Sequence, residues 1–219
     1  MQTIQAILLE PVGCLAEFPS APFHEIAIRF FGRKEKAGKS GSQSYWHLLN
    51  LMETAREPLD DEKRGLVETL EAGAVDGASI YEDVAPALAE LKAMGIQLFI
   101  ASSLSAAATA RFLDRGSLAE FFSGVWNRDN SGGIKAAPLA RAIEGASLEA
   151  GRTIFLADTA EGLKAAESTG AAAILMMNDP DEALRLVAHN PAGGVVSLHE
   201  LPDFIRLVLV NAGADAARS

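Results

Sequence analysis

Side chains that can do chemistry stand at four points of the sequence, three of them directly after a short apolar segment. Two are carboxylates, Glu10 and Asp158, and the others are the hydroxyl pair Ser102 and Ser103 and the amine of Lys135. Carboxylates can attack an electrophile, move a proton or bind a divalent cation, whereas hydroxyl and ammonium groups can hold an anion. These residue types indicate a polar catalytic or binding site.

Other nucleophiles and metal ligands have less support in the sequence. Cys14 is the only cysteine, and no histidine or arginine lies near it in the sequence to help form a thiolate, so we expect a small buried thiol. The four histidines are scattered without the spacing of metal ligands. A thiol enzyme and a zinc hydrolase are therefore both disfavoured.

Composition limits the class of protein. The 219 residues are 49% hydrophobic, enough for a sizeable core in one domain with an elaboration. The net charge of −10 disfavours binding to nucleic acid or anionic membranes, and leaves small molecules or proteins as expected partners. The first ten residues lack the pattern of a signal peptide, and charges or glycines break the apolar runs well before the ~20 residues that span a bilayer. With a single cysteine, these features predict a cytoplasmic protein.

Short apolar runs alternate with segments of helical period, which is typical of parallel strands connected by helices. The predicted strands are Ile4–Leu9, Gln97–Ala101, Gly124–Trp126, Thr153–Leu156 and Ala171–Leu175. The predicted helices between and after them are Val84–Met94, Ala106–Arg115, Ala137–Gly145, Glu161–Thr169, Asp179–Ala188 and Leu198–Val210. Gly95, Gly116 and Gly170 each follow a helix, where a left-handed residue would end it. The fold class is therefore predicted as a doubly wound, three-layer α/β/α domain of Rossmann-like type.

One segment interrupts this alternation. From about Ala16 to Gly77 no strand is convincing, and the sequence predicts three helical stretches, Phe23–Phe31, Ser44–Glu57 and Asp60–Ala74. Inserted after the first strand, such a segment would lie above the carboxyl ends of the sheet, where ligands bind in these folds. We expect a core of residues 1–15 and 78–210, a helical cap of residues 16–77, and a frayed tail over residues 211–219.

An apolar cluster falls within the predicted cap, and its members recur at helical spacing. It can line a substrate pocket beneath the cap or simply form core, and the second is the commoner outcome. The members are Tyr45, Trp46, Leu48, Leu49 and Met52.

Taken in order, four segments resemble the motifs of the haloacid dehalogenase superfamily of phosphohydrolases. Ile7-Leu-Leu-Glu10-Pro-Val12-Gly-Cys14-Leu15 is similar to the opening strand and Asp-x-Asp-Gly-Thr-Leu of that family. Ser102 stands where the family has a serine or threonine, and Gly133-Ile-Lys135 and Ile154-Phe-Leu-Ala-Asp158 resemble its third and fourth motifs. Finer details, including Tyr81-Glu-Asp-Val84 and Phe155-Leu-Ala-Asp158 with Glu161, resemble the enolase-phosphatase branch.

The resemblance implies a mechanism and a set of roles. In the family, a carboxylate attacks phosphorus, an acid two residues later transfers protons, and Mg²⁺ neutralises the developing charge. The catalytic candidates implied here are Glu10, Ser102, Lys135 and Asp158. Those for binding phosphate are Ser102, Ser103 and Lys135. The implied Mg²⁺ ligands are Glu10, the backbone carbonyl of Val12, and Asp158.

This sequence departs from the family pattern where the reaction is done. Glu10 replaces the nucleophilic aspartate with a longer side chain, in a geometry where a misplacement of about 1 Å can cost ~100-fold in rate. Val12 occupies the position of the general acid and base, whose loss costs ~10²–10⁴-fold. The favoured hypothesis is a phosphatase-like protein with a degenerate active site, which retains at most binding of phosphate or Mg²⁺.

Two other functions stay open. One is an active Mg²⁺-dependent hydrolase of a small phosphorylated metabolite, with Glu10 as an unconventional nucleophile. The other is a structural or partner-binding protein that uses the apolar stretch Leu201–Val210. Each retained residue also has an ordinary interpretation, in which Ser102 caps the following helix, Lys135 is a solvated loop charge and Asp158 caps the helix near Glu161.

Overall fold

A six-stranded parallel sheet forms the centre of the molecule in a computed structural model, which describes residues 4–32, 40–55 and 59–207. The strands in chain order are β1 (Ala6–Leu9), β2 (Ala16–Glu17), β3 (Ser79–Ile80), β4 (Gln97–Ala101), β5 (Gly124–Trp126), β6 (Thr153–Ala157), β7 (Ala172–Met176) and β8 (Gly193–Val195). The large sheet has the order β5-β4-β1-β6-β7-β8, and β2 pairs with β3 in a separate antiparallel ribbon. Strands β1 and β6 are buried throughout, which explains their nearly continuous apolar sequences.

Helices connect the strands. They are α1 (Pro11–Cys14), α2 (Ser20–Phe31), α3 (Gly41–Thr54), α4 (Asp61–Asp76), α5 (Val84–Ala93), α6 (Ala106–Arg115), α7 (Arg128–Ser131), α8 (Ala136–Gly145), α9 (Ala160–Thr169) and α10 (Pro180–Leu186), with a further helical segment at residues 200–207. Short 3₁₀ segments occupy Ala119–Phe121, Ala150–Arg152 and Val187–His189. Among the described residues, no helix is long and apolar enough to cross a membrane.

The predicted fold class is confirmed. Each of the five predicted strands is present with its ends shifted by two residues or fewer, and the sheet is parallel. The sixth strand, β8, was not predicted, because Gly193-Gly194-Val195 has no apolar run. The expectation of no strand between Ala16 and Gly77 is wrong at its start, where the two-residue strand β2 pairs with β3.

One smaller expectation needs correction, and another lies outside the described residues. Gly116 is not left-handed, since its φ is −86°, and Ser117 adopts the positive φ instead. A β-carbon at Gly116 would lie 2.8–2.9 Å from side-chain carbons of Ile80 and Leu118, which would have to shift to admit it. At the C-terminal helix, Leu201 and Ile205 are buried, and residues 208–219, including the predicted tail, lie outside the described part of the chain.

Helices α2, α3 and α4 occupy the chain between β2 and β3. Their beginnings follow local signals, since the side chains of Ser40 and Asp60 accept hydrogen bonds from the first turns of α3 and α4. Helix α2 packs against both α3 and α4. The register Ala16↔Ile80 places both ends of this three-helix segment side by side.

Candidate functional site

Three of the sequence-predicted site residues lie at one edge of the sheet. Glu10, Ser102 and Asp158 directly follow β1, β4 and β6, which are neighbouring parallel strands. Leu9 is in register with Ile100 on one side and Leu156 on the other, so these strands end at the same level. The carboxyl edge of a parallel sheet is the usual ligand site of such folds.

Glu10 is buried and fully engaged by protein donors. The Ser102 hydroxyl donates to Oε1 at 2.6 Å, while the Tyr45 hydroxyl at 3.3 Å and the Ser103 backbone N–H at 3.4 Å donate to Oε2. Burial raises the pKa of Glu10 to about 8, although these hydrogen bonds act to lower it. The side chain therefore carries a proton at neutral pH in this closed arrangement.

The loop after Glu10 contains no second acid and is tightly packed. Val12 is fully buried, and Gly13 has a φ of 81° in the kinked turn α1. Cys14 is buried as expected, its thiol donates to the Leu156 carbonyl at 3.3 Å, and burial raises the pKa of the thiol. This environment favours an unreactive thiol.

Asp158 occupies the other side of the site and is only partly buried. The Ser42 hydroxyl donates to Oδ1 at 2.8 Å, and the Asn178 side chain donates to Oδ2 at 3.4 Å. Burial, together with the negative charges of Glu182 and Glu17, raises the pKa of Asp158 to about 7. Asp158 lines a cavity of about 220 Å³, whose other polar lining includes Gln43.

Lys135 reaches the site through its backbone. Its N–H donates to the Ser103 hydroxyl oxygen at 2.6 Å, whereas its ammonium group pairs with Glu53 of α3. The residue has a φ of 59°, a strained conformation for a side-chain-bearing residue. The ammonium group predicted to bind phosphate thus lies against α3, and 18% of the Lys135 side chain is exposed.

The ordinary capping interpretations of Ser102 and Asp158 are wrong. Ser105 caps α6 by accepting from the Ala108 N–H, and Thr159 caps α9 by accepting from the Gly162 N–H. The Ser102 hydroxyl instead accepts from Leu104 and donates to Glu10.

Sequence reasoning missed two groups of residues around this edge. Tyr45 and Ser42 reach it from α3. The apolar cluster of the predicted cap was the only signal for Tyr45, and no signal pointed to Ser42. Tyr45 is fully buried and touches Glu10, so this cluster is both core and site cover. Glu71 of α4 and Arg128 of α7 form a partly buried ion pair that no local pattern indicates.

The residues present do not fit a magnesium ion. Glu10 accepts from three protein donors, and Asp158 accepts from Ser42 and Asn178. In the parts of the chain that the structure describes, no group of three His, Cys, Asp or Glu side chains is placed to hold a metal ion. An ion at Glu10 would have to displace donors from a buried carboxyl group.

A parallel sheet with polar side chains at its carboxyl edge defines an α/β protein whose candidate site lies at that edge. The model for the family described as haloacid dehalogenase-like hydrolase matches residues 35–176, and the chain belongs to this family. Its hydrolases generally depend on Mg²⁺. The resemblance to this family is thereby confirmed; the match includes the second, third and fourth segments, whereas the first, residues 7–15, lies outside it.

Relatives and solved structures agree with this family. Proteins named enolase-phosphatase E1 from Gluconacetobacter diazotrophicus and Stenotrophomonas maltophilia (strain K279a) are 40% and 33% identical over 97 and 96 residues. Both matches cover 42% of this chain, but they span only 41% and 42% of the relatives' length.

Solved structures share the fold across nearly the whole chain. A phosphatase of the family from Thermococcus onnurineus has a TM-score of 0.63 at 19% identity, covering 92% of this chain and 98% of its own. A predicted phosphatase from Clostridium acetobutylicum has a TM-score of 0.69 at 16% identity, covering 93% and 99%.

Proposed function

We propose that this chain is a phosphatase-like member of its family whose active site is degenerate and closed. The observation that carries the proposal is the burial of Glu10, only 3% exposed, beneath the Tyr45 hydroxyl. A nucleophile must reach within about 3–3.5 Å of the phosphorus atom in line with the leaving group. A protonated carboxyl group covered by a tyrosine is a poor nucleophile.

The second observation that supports a degenerate site is that position 12 has no side chain able to transfer a proton. Its buried apolar side chain can neither protonate a leaving group nor activate water. Lys135 adds to this defect, because its charge is held by Glu53.

We propose that residues 16–77 act as the cap of this protein, over a core formed by residues 1–15 and 78–210. Support comes from α3, which brings Tyr45 onto Glu10 and Ser42 onto Asp158. The proposed ligand class is a small phosphorylated molecule, the kind of substrate on which phosphatases of this family act.

The alternative is an active hydrolase with a non-standard nucleophile. It is favoured by Asp158, which lines the 220 Å³ cavity with a pKa of about 7 and can exchange a proton near neutral pH.

Phosphate release from a panel of small phosphomonoesters, with and without Mg²⁺, distinguishes the two functions. We expect turnover at least ~100-fold slower than 1 s⁻¹, because both the aligned nucleophile and the general acid are lost. Circular dichroism on the same sample checks that the protein is folded. Asp158→Ala should leave this residual rate unchanged, as should the control Asp181→Ala at an exposed position.

The opposite result is equally definite. Magnesium-dependent turnover near 1 s⁻¹ that disappears in Asp158→Ala but persists in Asp181→Ala would refute the degenerate site and establish the hydrolase.

A further inference from the structure

A partly buried ion pair joins the three-helix segment to the chain segments that follow two strands of the sheet. Glu71 of α4 is 1% exposed, and its carboxylate accepts from Arg128 Nη1 at 2.7 Å and Nη2 at 3.1 Å. The Ser105 backbone N–H donates to the same carboxylate at 3.2 Å. Arg128 Nη1 also donates to the Ser103 carbonyl at 3.2 Å. One side chain of α4 is thereby bonded to the segments that follow β4 and β5.

Burial and the charge of Glu71 have opposite effects on the ionisation of Arg128. Burial alone would lower the pKa of Arg128, but the charge and hydrogen bonds of Glu71 raise it above the usual value. Removing Arg128 would leave the buried carboxylate of Glu71 uncompensated, which is costly. Removing Glu71 would leave Arg128, which is 16% exposed, with Asp129 at 3.8 Å as its remaining acidic neighbour. A second pair, Asp76 with Arg111, joins α4 to α6 through hydrogen bonds of 2.6 and 2.7 Å, but its side chains are 50% and 52% exposed, so solvent screens the attraction.

The pair is also adjacent to the candidate site. Ser103, whose carbonyl Arg128 binds, donates its N–H to Glu10. Tyr45 covers Glu10 from α3, and α2 packs against both α3 and α4. A movement of the three helices away from the sheet would have to separate Glu71 from Arg128.

We infer that the Glu71–Arg128 pair is a latch that keeps the three-helix segment closed over Glu10. The latch controls whether anything can reach the buried carboxyl group, and it does so whether or not the site can hydrolyse a phosphate ester. It goes beyond the proposed function, because it assigns the closure to one contact outside the site residues.

A thiol probe tests the latch. In a chain with Cys14→Ala and Ser102→Cys, the single thiol replaces a hydroxyl that is 1% exposed beneath Tyr45. The rate at which a soluble disulfide reagent modifies this thiol reports how often the three-helix segment opens. The free energy of unfolding in urea, measured on the same protein, gives the labelling rate expected if the thiol were exposed only by global unfolding. Glu71→Gln should raise labelling roughly 100-fold above that rate.

The matched control is Asp76→Asn, which removes the exposed pair from the same helix. It should change labelling by less than about fivefold. If Glu71→Gln labels no faster than its global unfolding permits, the latch is refuted.

Two further measurements protect the test against a variant that does not fold. Arg128→Lys keeps the positive charge but cannot form two parallel hydrogen bonds, so it should give a smaller increase in labelling. Hydrogen exchange over residues 102–105 is measured in chains that keep the native Cys14 and Ser102. It should be accelerated most by Glu71→Gln, less by Arg128→Lys and least by Asp76→Asn. Unchanged exchange in all of them would also overturn the latch. Neither readout uses a substrate, so the outcome is independent of the phosphate-release assay.

Discussion

The native protein is expected to lose stability between pH 5 and pH 8, and Glu10→Gln should make this loss smaller by about 3 kcal/mol. Burial raises the pKa of Glu10 from 4.5 to about 8, so between these values the folded state keeps a proton that the unfolded state has released. Stability from this group is therefore complete below pH 4.5 and falls as the pH rises towards 8. Glutamine has the same shape and does not titrate.

Urea unfolding across this pH range measures the effect. The variant should show a flatter dependence on pH, and some slope should remain because the pKa of Asp158 is also raised. Glu120→Gln, at an exposed position, serves as the control and should keep the native slope. An unchanged slope in Glu10→Gln would mean that Glu10 is ionised in the folded protein, which contradicts the closed site.

Gly13→Ala is expected to destabilise the protein by roughly 3–5 kcal/mol, through two causes that act at one position. Gly13 has a φ of 81°, which disfavours any residue with a β-carbon. An added β-carbon would also lie 2.0 Å from Asp158 Oδ2 and 2.8 Å from the Ser42 β-carbon, so the contact of α3 with the sheet must shift.

Gly95→Ala separates these two causes. Gly95 has nearly the same φ, 80°, but no atom lies within 4 Å of a β-carbon added there. We expect it to cost only about 1 kcal/mol, the backbone penalty alone. Equal losses of unfolding free energy in the two variants would show that Asp158 and Ser42 do not crowd Gly13.

Local signals explain why much of the sheet was predictable. Strand β4 and helix α6 have the predicted bounds, because an apolar run ends at a serine segment and Ser105 then caps the helix. The strand β8 lacked such a signal, since its two glycines become strand only by pairing with Ile174 and Leu175 of β7. Its formation depends on tertiary structure.

The same distinction applies to the site. Glu10, Ser102 and Asp158 could be brought together from sequence, because each directly follows a strand of one parallel sheet. The direction of the Lys135 side chain could not be predicted from the sequence. Its partner Glu53 is 82 residues away, in a helix whose docking no local pattern fixes. Tyr45 was visible only as one member of an apolar cluster, and its contact with Glu10 likewise depends on how α3 docks.

The lengths of the outermost strands have a consequence for assembly. The edge strands β5 and β8 are three residues long, whereas the strands between them have four or five. An extended chain from another molecule would find few backbone groups to bond at either edge, and at β8 it would meet two glycines that offer no side chain for packing. The sheet is therefore protected against growth by strand addition, a frequent route to aggregation.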